Sequence, residues 1–351
     1  MFPLILPSVP ETSPGPLAPR QDFVLLADAL DGSLLYPAEF DANSLLSRLE
    51  KRTATDIRQA FRALKRRRMT SAYVSLSEKV AIPLALLLPQ GRGNRPAHVL
   101  VGHRITSPNK RKLQERIGYL HRFDRIVVLA TTQSDYLTRE AGVPAHRVAF
   151  VPDSVDARFW EDGLAGRDGS YLLAVGRERR DYATFTDALR QMPDLRAFVV
   201  ASSPWSRAGG DIQSSGVPSN MTFRQDLSYG ALRDLYAGAS LVVVPLVPGT
   251  DYAAGVNSCL EGMAMRKPIL VTATSGLADY RRGYAGEELV ATVPEGESGR
   301  QLRDAIESLL ANRVRCERLA RAGRRFVEQK ADIEIYVKSI ANIVQESLAE
   351  R

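Results

Sequence analysis

The chain reads as an α/β protein built from two doubly wound domains in series, each a parallel sheet with helices on both faces. Three observations predict this. Short β-branched runs alternate with amphipathic stretches from residue 22 onward. A polar, Gly-containing stretch at 162–170 interrupts the alternation once, after which it restarts. The length of 351 residues matches roughly two domains, each large enough for its own core.

Taken in order, residues 1–21 begin MFPLILPSVPETSPGPLAPR, a Pro-rich stretch with no basic segment before a sustained apolar run. It is not a signal peptide and reads as a disordered lead-in. A first domain follows over 22–155. Its strands are expected at 23–26, 73–76, 99–101, 125–129 and 148–151, and its helices at 45–65, 110–121 and 133–141. Residues 156–170 form the expected linker. The second domain, 171–330, has expected strands at 171–175, 196–201, 221–223, 241–244, 269–272 and 288–293. Helices follow at 299–310 and 313–328. A terminal helix within 331–351 is expected to pack back on the first domain.

Composition narrows the class. With 44% hydrophobic and 25% charged residues, the chain is an ordinary globular protein rather than a disordered one. The most apolar piece, 82–89, is too short to span a bilayer. Two cysteines, Cys259 and Cys316, make neither a disulfide framework nor a metal set, so a reducing, cytoplasmic setting is expected. Cys259 reads as a small core residue. The net charge of +7 concentrates at Lys65-Arg66-Arg67-Arg68 and at Lys110-Arg111-Lys112. Such clusters are either solvated helix ends or a peripheral contact with an anionic membrane surface. Nucleic acid is disfavoured, because aromatic residues do not interleave with them.

The most informative stretch is 241–272, LVVVPLVPGTDYAAGVNSCLEGMAMRKPILVT. A β-branched run ends in Pro245, and a small-residue loop carries Gly249 and Gly255. A helix then runs from about Asn257 to Met265 and closes at Arg266-Lys267-Pro268. Such a strand–loop–helix unit offers free backbone N–H groups and a positive dipole end to an anion. Glu261, one turn inside, is placed to accept from vicinal hydroxyls. A second unit, Gly176-Arg177-Glu178-Arg179-Arg180-Asp181-Tyr182, follows the first strand of the second domain. Its guanidinium groups suit a diphosphate geometrically. Cations at a helix start are otherwise misplaced with respect to the dipole.

Gly255-Val256-Asn257-Ser258-Cys259-Leu260-Glu261-Gly262-Met263-Ala264-Met265-Arg266-Lys267-Pro268 closely resembles the nucleotide-sugar signature of GT-B glycosyltransferases of the family 4 type, G-x-N-x-x-x-E-A-M-A-x-G-K-P. The likeness covers about residues 100–328. It implies two Rossmann-like domains facing across a cleft, with donor contacts from Gly255, Val256, Asn257, Ser258 and Glu261. The Gly176 segment resembles the family's G-R-x-x-x-x-K-G. Arg177 matches directly, and Arg180 stands for the Lys in a shortened loop. His103, at the end of the run Val99-Leu100-Val101-Gly102, resembles the family's cleft histidine; His98, His121 and His146 read as surface or strand-edge residues.

Two positions depart from the pattern: Ala253 stands where many members carry a further Glu, and Arg266 where Gly is usual. The turn at 27–33, read as following the first strand, is also a weak match to the family's Gly-rich turn. The segment 276–286 resembles a mainly structural loop of the family, and 220–225 a loop that packs on the nucleobase.

The resemblance implies a retaining glycosyltransferase. It would move a sugar from a nucleotide-diphosphate donor to a glycan, lipid-linked or small-molecule hydroxyl. No Asp-x-Asp motif with useful flanks appears, so neither metal nor other cofactor is expected, and the arginines and helix start would offset the leaving charge. Two rival classes stay open: a GT-B pseudoenzyme acting as a binding or assembly partner, which Ala253 favours, and a GT-B sugar-nucleotide epimerase, which needs further cleft carboxylates and histidines.

Overall fold

The computed structural model describes residues 1–11, 15, 17–89, 91, 95–161, 169–201, 216–283 and 286–351. The chain forms two compact units. The first comprises Met1–Pro14, Arg20–Pro152 and Glu334–Arg351, and the second Gly15–Pro19 and Asp153–Ile333.

In the first unit the chain runs β1 (Phe2–Leu6), α1 (Asp22–Ala29), β2 (Ser33–Leu34), α2 (Leu45–Thr53), α3 (Ile57–Lys65), β3 (Thr70–Ser75), α4 (Glu78–Leu87), β4 (Ala97–Gly102), α5 (Pro108–Ile117), β5 (Arg125–Val128), α6 (Thr131–Asp135) and β6 (Val148–Phe150). Its six strands are parallel, in the order β2-β1-β3-β4-β5-β6. Apolar side chains fill both faces. One cluster includes Leu4, Leu6, Ala60, Tyr73 and Leu84, and another Leu100, Tyr119, Phe123 and Ile126.

Several expectations are corrected in this unit. Residues 2–6 are not part of a disordered lead-in: Leu4, Ile5 and Leu6 are wholly buried in a strand paired on both sides. A strand buried on both faces reads as a short continuous apolar run. Pro3 sits where the register to β3 shifts, the kind of place a strand tolerates a residue with no N–H. Residues 23–26 are helical, because Phe23, Leu26, Ala27 and Leu30 are buried at helical, not strand, spacing. The turn at 27–33 therefore does not follow the first strand, and the loop that does begins at Pro7. The helix expected over 45–65 is two helices, broken at Ala54, which adopts φ 52°.

The basic run at 110–112 is largely neutralised within the fold. Lys110 Nζ lies 3.0 Å from the buried Glu78. Arg111 pairs with Glu140 at 2.7 Å and stacks over Tyr136 at 4.1 Å. His98, read as peripheral, is wholly buried in β4 with its Nε2 2.9 Å from Ser75 Oγ; burial pushes the ring down to about 3.

The second unit runs β7 (Tyr171–Val175), α7 (Tyr182–Arg190), β8 (Arg196–Val200), β9 (Met221–Arg224), α8 (Tyr229–Ala237), β10 (Ala239–Val244), α9 (Val256–Ala264), β11 (Ile269–Thr272), β12 (Ala291–Val293), α10 (Gly299–Ala311) and α11 (Arg313–Phe326). Its parallel sheet has the order β12-β11-β10-β7-β8-β9. The chain steps outward from β7 to β8 and β9, then returns to build β10, β11 and β12 on the other side. β7 and β10 therefore flank the topological switch point, where such sheets leave a crevice at the carboxyl ends of the strands. The expected linker is not free at its start: Ala157 and Trp160 are buried in the core of this unit, and Val155 bridges to Asp332. Residues 162–168 lie outside the described residues.

The last helix, α12 (Ile333–Ala349), belongs from Glu334 onward to the first unit. Arg351 donates to Asp124 at 2.9 Å, Glu350 pairs with Arg125, and Arg20 reaches Glu334 at 2.8 Å. Among the described residues no helix is long and apolar enough to cross a membrane.

The burial of β1 makes a direct prediction. Leu4→Ala should destabilise the first unit by about 2–5 kcal/mol through lost apolar contact and a residual cavity, read as a lowered denaturation midpoint. A change below about 0.5 kcal/mol, the scale of exposed positions, would mean that residues 2–6 do not form a core strand.

Candidate functional site

The two segments singled out in the sequence follow β7 and β10, the strands at the switch point. Gly176 comes directly after β7 with φ 106°, and Gly255 directly before α9 with φ 91°. L side chains rarely adopt either value. A side chain at either position would also crowd its neighbours. A Cβ on Gly176 would stand 2.3 Å from Arg180 Nη2, and one on Gly255 would stand 3.0 Å from Val244 Cγ1 and 3.4 Å from Arg180 Nη1. The two glycines leave a slot that the Arg180 guanidinium fills.

Arg180 is anchored on neutral oxygens alone. Its Nε donates to the Val175 carbonyl at 3.0 Å, Nη1 to the Glu178 carbonyl at 2.9 Å and Nη2 to Ser258 Oγ at 3.0 Å. Ser258 in turn donates to the Val175 carbonyl at 2.9 Å. No carboxylate among the described residues forms an ion pair with this half-buried cation. It stands against the start of α9, whose cap is Gly255, with no side-chain hydrogen bond to the helix N–H groups and no acidic residue in the first turn. A cation and a positive helix end thus converge on one point, an arrangement that favours an anion there.

Further contacts lock the two loops together. Arg179, with φ 56°, donates from Nε to Thr250 Oγ1 at 3.2 Å and from Nη2 to the Pro248 carbonyl at 3.1 Å. Tyr252 OH donates to Glu178 Oε1 at 2.8 Å. Backbone bonds run from Asp181 N to the Pro245 carbonyl and from Val247 N to the Arg179 carbonyl, both at 3.0 Å.

Glu261 lies half-buried on α9. Tyr236 OH, on α8, donates to its Oε2 at 2.7 Å. Burial pushes the Glu261 carboxyl up to about 7, against the opposing pull of the Tyr236 hydrogen bond and the Arg180 charge. Tyr236 is wholly buried, its ring set edge-on against Trp160 at 5.4 Å. Cys259 on the same helix is buried, and its thiol is pushed up to about 12 by that burial. It is a core residue with little thiolate character.

The structure therefore brings Gly176, Arg180, Gly255, Val256, Ser258 and Glu261 to one end of the second sheet, with Arg177 half-buried beside Gly176 and Asn257 exposed on the first turn of α9. His103 belongs to the first unit. It follows β4 at the carboxyl end of the strand and is exposed; its Nε2 donates to the Leu76 carbonyl at 3.2 Å. Its own carbonyl accepts from Gln133 at 3.0 Å, and Glu78 holds the next amide, Arg104 N, at 2.6 Å.

Sequence reasoning did not single out Tyr236, Arg179 or Tyr252. Tyr236 carried one signal: a buried tyrosine hydroxyl needs a partner. Which partner it takes depends on how α8 and α9 pack.

Residues 169–312 match the family described as Glycosyl transferases group 1. Among curated proteins none matches the chain by sequence. Among solved structures, Anabaena Alr3699/HepE in complex with UDP-glucose aligns at a TM-score of 0.71 and 15% identity, over 100% of this chain and 100% of that one. WaaG, a glycosyltransferase involved in lipopolysaccharide biosynthesis, aligns at 0.63 and 16%, over 98% and 99%. The catalytic domain of Starch Synthase IV from Arabidopsis thaliana, bound to ADP and acarbose, aligns at 0.66 and 10%, over 99% of each chain. The chain has the GT-B fold, and within its second unit residues 169–312 match the group 1 glycosyl transferases.

Proposed function

We propose that the protein is a retaining glycosyltransferase of hexosyl type, moving a sugar from a nucleotide-diphosphate donor to a hydroxyl on a glycan, lipid-linked or small-molecule acceptor in the cytoplasm. The observation that carries this reading is the Arg180 guanidinium, held between Gly176 and Gly255 on neutral acceptors, against the uncapped start of α9. A diphosphate seated there receives a fixed cation, the second guanidinium of Arg177 and the amides of Asn257 and Ser258, next to Val256, whose own N–H donates to the Ala253 carbonyl at 3.2 Å. Glu261, one turn further, accepts from the ribose hydroxyls. UDP is named with the structural neighbour HepE and ADP with Starch Synthase IV, which supports the donor class.

In this reading the charge that develops on the leaving diphosphate meets donors already in place, so little reorganisation is needed. The acceptor hydroxyl attacks from the face the phosphate leaves, and the leaving phosphate takes its proton. His103 is the polar side chain assigned to the sugar and acceptor. No protein nucleophile is required. The loop 252–258 contains no carboxylate, and metal-independent transfer follows from the arginines and helix end standing in for a cation.

Calorimetry with nucleoside diphosphates tests the site. Glu261→Gln should weaken binding at pH 8 by roughly 1.5–3 kcal/mol, the worth of a hydrogen bond to a charged group. Wild-type affinity should rise between pH 6 and 8, as the carboxyl with a value of about 7 ionises, while that of Glu261→Gln stays flat. Unchanged affinity in the folded variant removes Glu261 from the donor site.

The same carboxyl sets a stability trend without ligand. Its folded value lies above the ordinary 4.5, so the folded state holds the proton longer than the unfolded one. Stability at this group is therefore lost as pH rises from about 4.5 to about 7 and is level above that. Glu261→Gln should then raise the Tm at pH 8 and leave it nearly unchanged at pH 4.5.

Arg177→Ala and Arg180→Lys should each weaken diphosphate binding more than monophosphate binding. Equal losses for the two ligands would mark a folding defect instead. Donor hydrolysis or transfer should persist in excess EDTA; abolition by EDTA and rescue by Mg²⁺ would place a carboxylate-bound metal, such as one held by Asp251, in the site.

A further inference from the structure

We propose that the outer surface of α2, α3 and the turn after α3 is a docking face for an anionic lipid bilayer. The charge distribution is the first observation. Residues 45–69 carry nine basic and two acidic residues, a net charge of +7. The whole chain is also +7, from 47 basic and 40 acidic residues, so the rest of the protein is electrically balanced. These 25 residues thus carry a net charge equal to that of the whole chain.

The two acids of that segment do not face solvent with the cations. Glu50 is buried, accepting from Arg58 N at 2.6 Å and from Arg58 Nε at 2.7 Å. This pair also ties α2 to α3. Asp56 keeps one carboxyl oxygen buried without a hydrogen-bond partner. No acidic side chain among the described residues pairs with Arg48, Arg52, Lys65, Arg67 or Arg68. By contrast, the arginines of α11 on the second unit meet Glu288 and Glu317.

The second observation is apolar. On α2 the outer stripe at i, i+3, i+4 and i+7 reads Leu45, Arg48, Leu49, Arg52, with Ser47 and Glu50 turned inward. Leu45 is 77% exposed and Leu49 46% exposed. On α3, Phe61 and Lys65 lie one turn apart on the exposed side while Gln59, Ala60 and Ala63 are buried. Arg67, Arg68 and Met69 continue the exposed surface in the following turn. Lys51 lies over the exposed Phe40 ring at 4.9 Å.

A solvent-facing helix stripe is ordinarily polar. These two mix unpaired cations with large apolar side chains, the composition of a helix that lies in a membrane interface. Phosphate groups of a nucleic acid would satisfy the cations but leave Leu45 and Leu49 without an apolar partner. An anionic bilayer satisfies both: headgroups take the guanidinium and ammonium groups, and the acyl boundary takes the leucines. The surface lies wholly within the first unit, whereas the residues of the proposed donor site belong to the second. Its test does not depend on which sugar is transferred.

Co-sedimentation of the full chain with phosphatidylglycerol-rich vesicles and with pure phosphatidylcholine vesicles decides it. Binding should appear only with the anionic vesicles at low ionic strength. It should fall steeply toward about 1 M salt, where the screening length is about 3 Å. Lys65→Gln/Arg67→Gln/Arg68→Gln should weaken it on the order of a hundredfold, about fivefold per charge. Leu45→Ser/Leu49→Ser should weaken it several-fold while leaving the salt slope intact.

Arg313→Gln/Arg318→Gln/Arg321→Gln on α11 removes the same charge and should bind like the wild type. All these side chains are exposed, and matching thermal unfolding verifies that the variants fold. Three results overturn the proposal: an α11 variant that loses as much as the α3 variant; vesicles ignored while a second copy docks on this face, seen as a dimer that Leu45→Ser/Leu49→Ser dissolves; or vesicles ignored while single-stranded RNA binds through the same cations.

Discussion

The second unit is organised around one guanidinium. Arg180 occupies the space that two glycines leave open, one after β7 and one before α9, and its three hydrogen bonds reach β7, its own loop and the first turn of α9. A side chain at either glycine would push the guanidinium aside; remove Arg180 and two loops lose their common anchor. Each bond pairs a charged donor with a neutral oxygen, worth about 1.5–3 kcal/mol. The contact explains why the chain places Gly176 and Gly255 with positive φ at two loops far apart in sequence that meet at the switch point of the sheet.

That arrangement leaves charge uncompensated. A half-buried cation with no carboxylate partner among the described residues sits beside the positive end of a helix, and a carboxyl one turn away is held up near 7 by burial. Each feature costs the ligand-free fold something, since burying a charge away from water is unfavourable unless it is paired. In the function proposed above, phosphate oxygens offset the guanidinium and helix end, and a ribose edge meets the carboxylate. Tyr236, backed by Trp160, keeps that carboxylate from turning away.

The first unit repeats the sheet design with different local chemistry. Glu78, at the start of α4, holds Lys110 and the amide of Arg104, while Gln133 holds the carbonyl of His103. The loop after β4 is therefore fixed from both sides, and the basic run at 110–112 is largely spent on that fixing. The charge left over gathers on α2 and α3, where mixed apolar and basic stripes face solvent. The two basic clusters look alike as text, yet one is internal scaffolding and the other is surface.

Much of this is legible in the sequence. Alternating β-branched runs and amphipathic stretches determined two parallel sheets, and a strand–Gly loop–helix pattern marked the end of the sheet that holds the site. Local physics suffices there: side-chain period, glycine at positive φ and a helix start are properties of short segments. Tertiary structure alone decided the rest. Phe2–Leu6 became a core strand because β2 and β3 bury it from both sides, and residues 23–26 became a helix because the burial of Phe23, Leu26 and Leu30 follows a three- to four-residue period. Arg180 became an anchor, Glu261 acquired Tyr236, and Lys110 found Glu78. Those outcomes depend on which distant residue arrives within hydrogen-bond reach, and that information lies in the packing of elements, not in the run of any one of them.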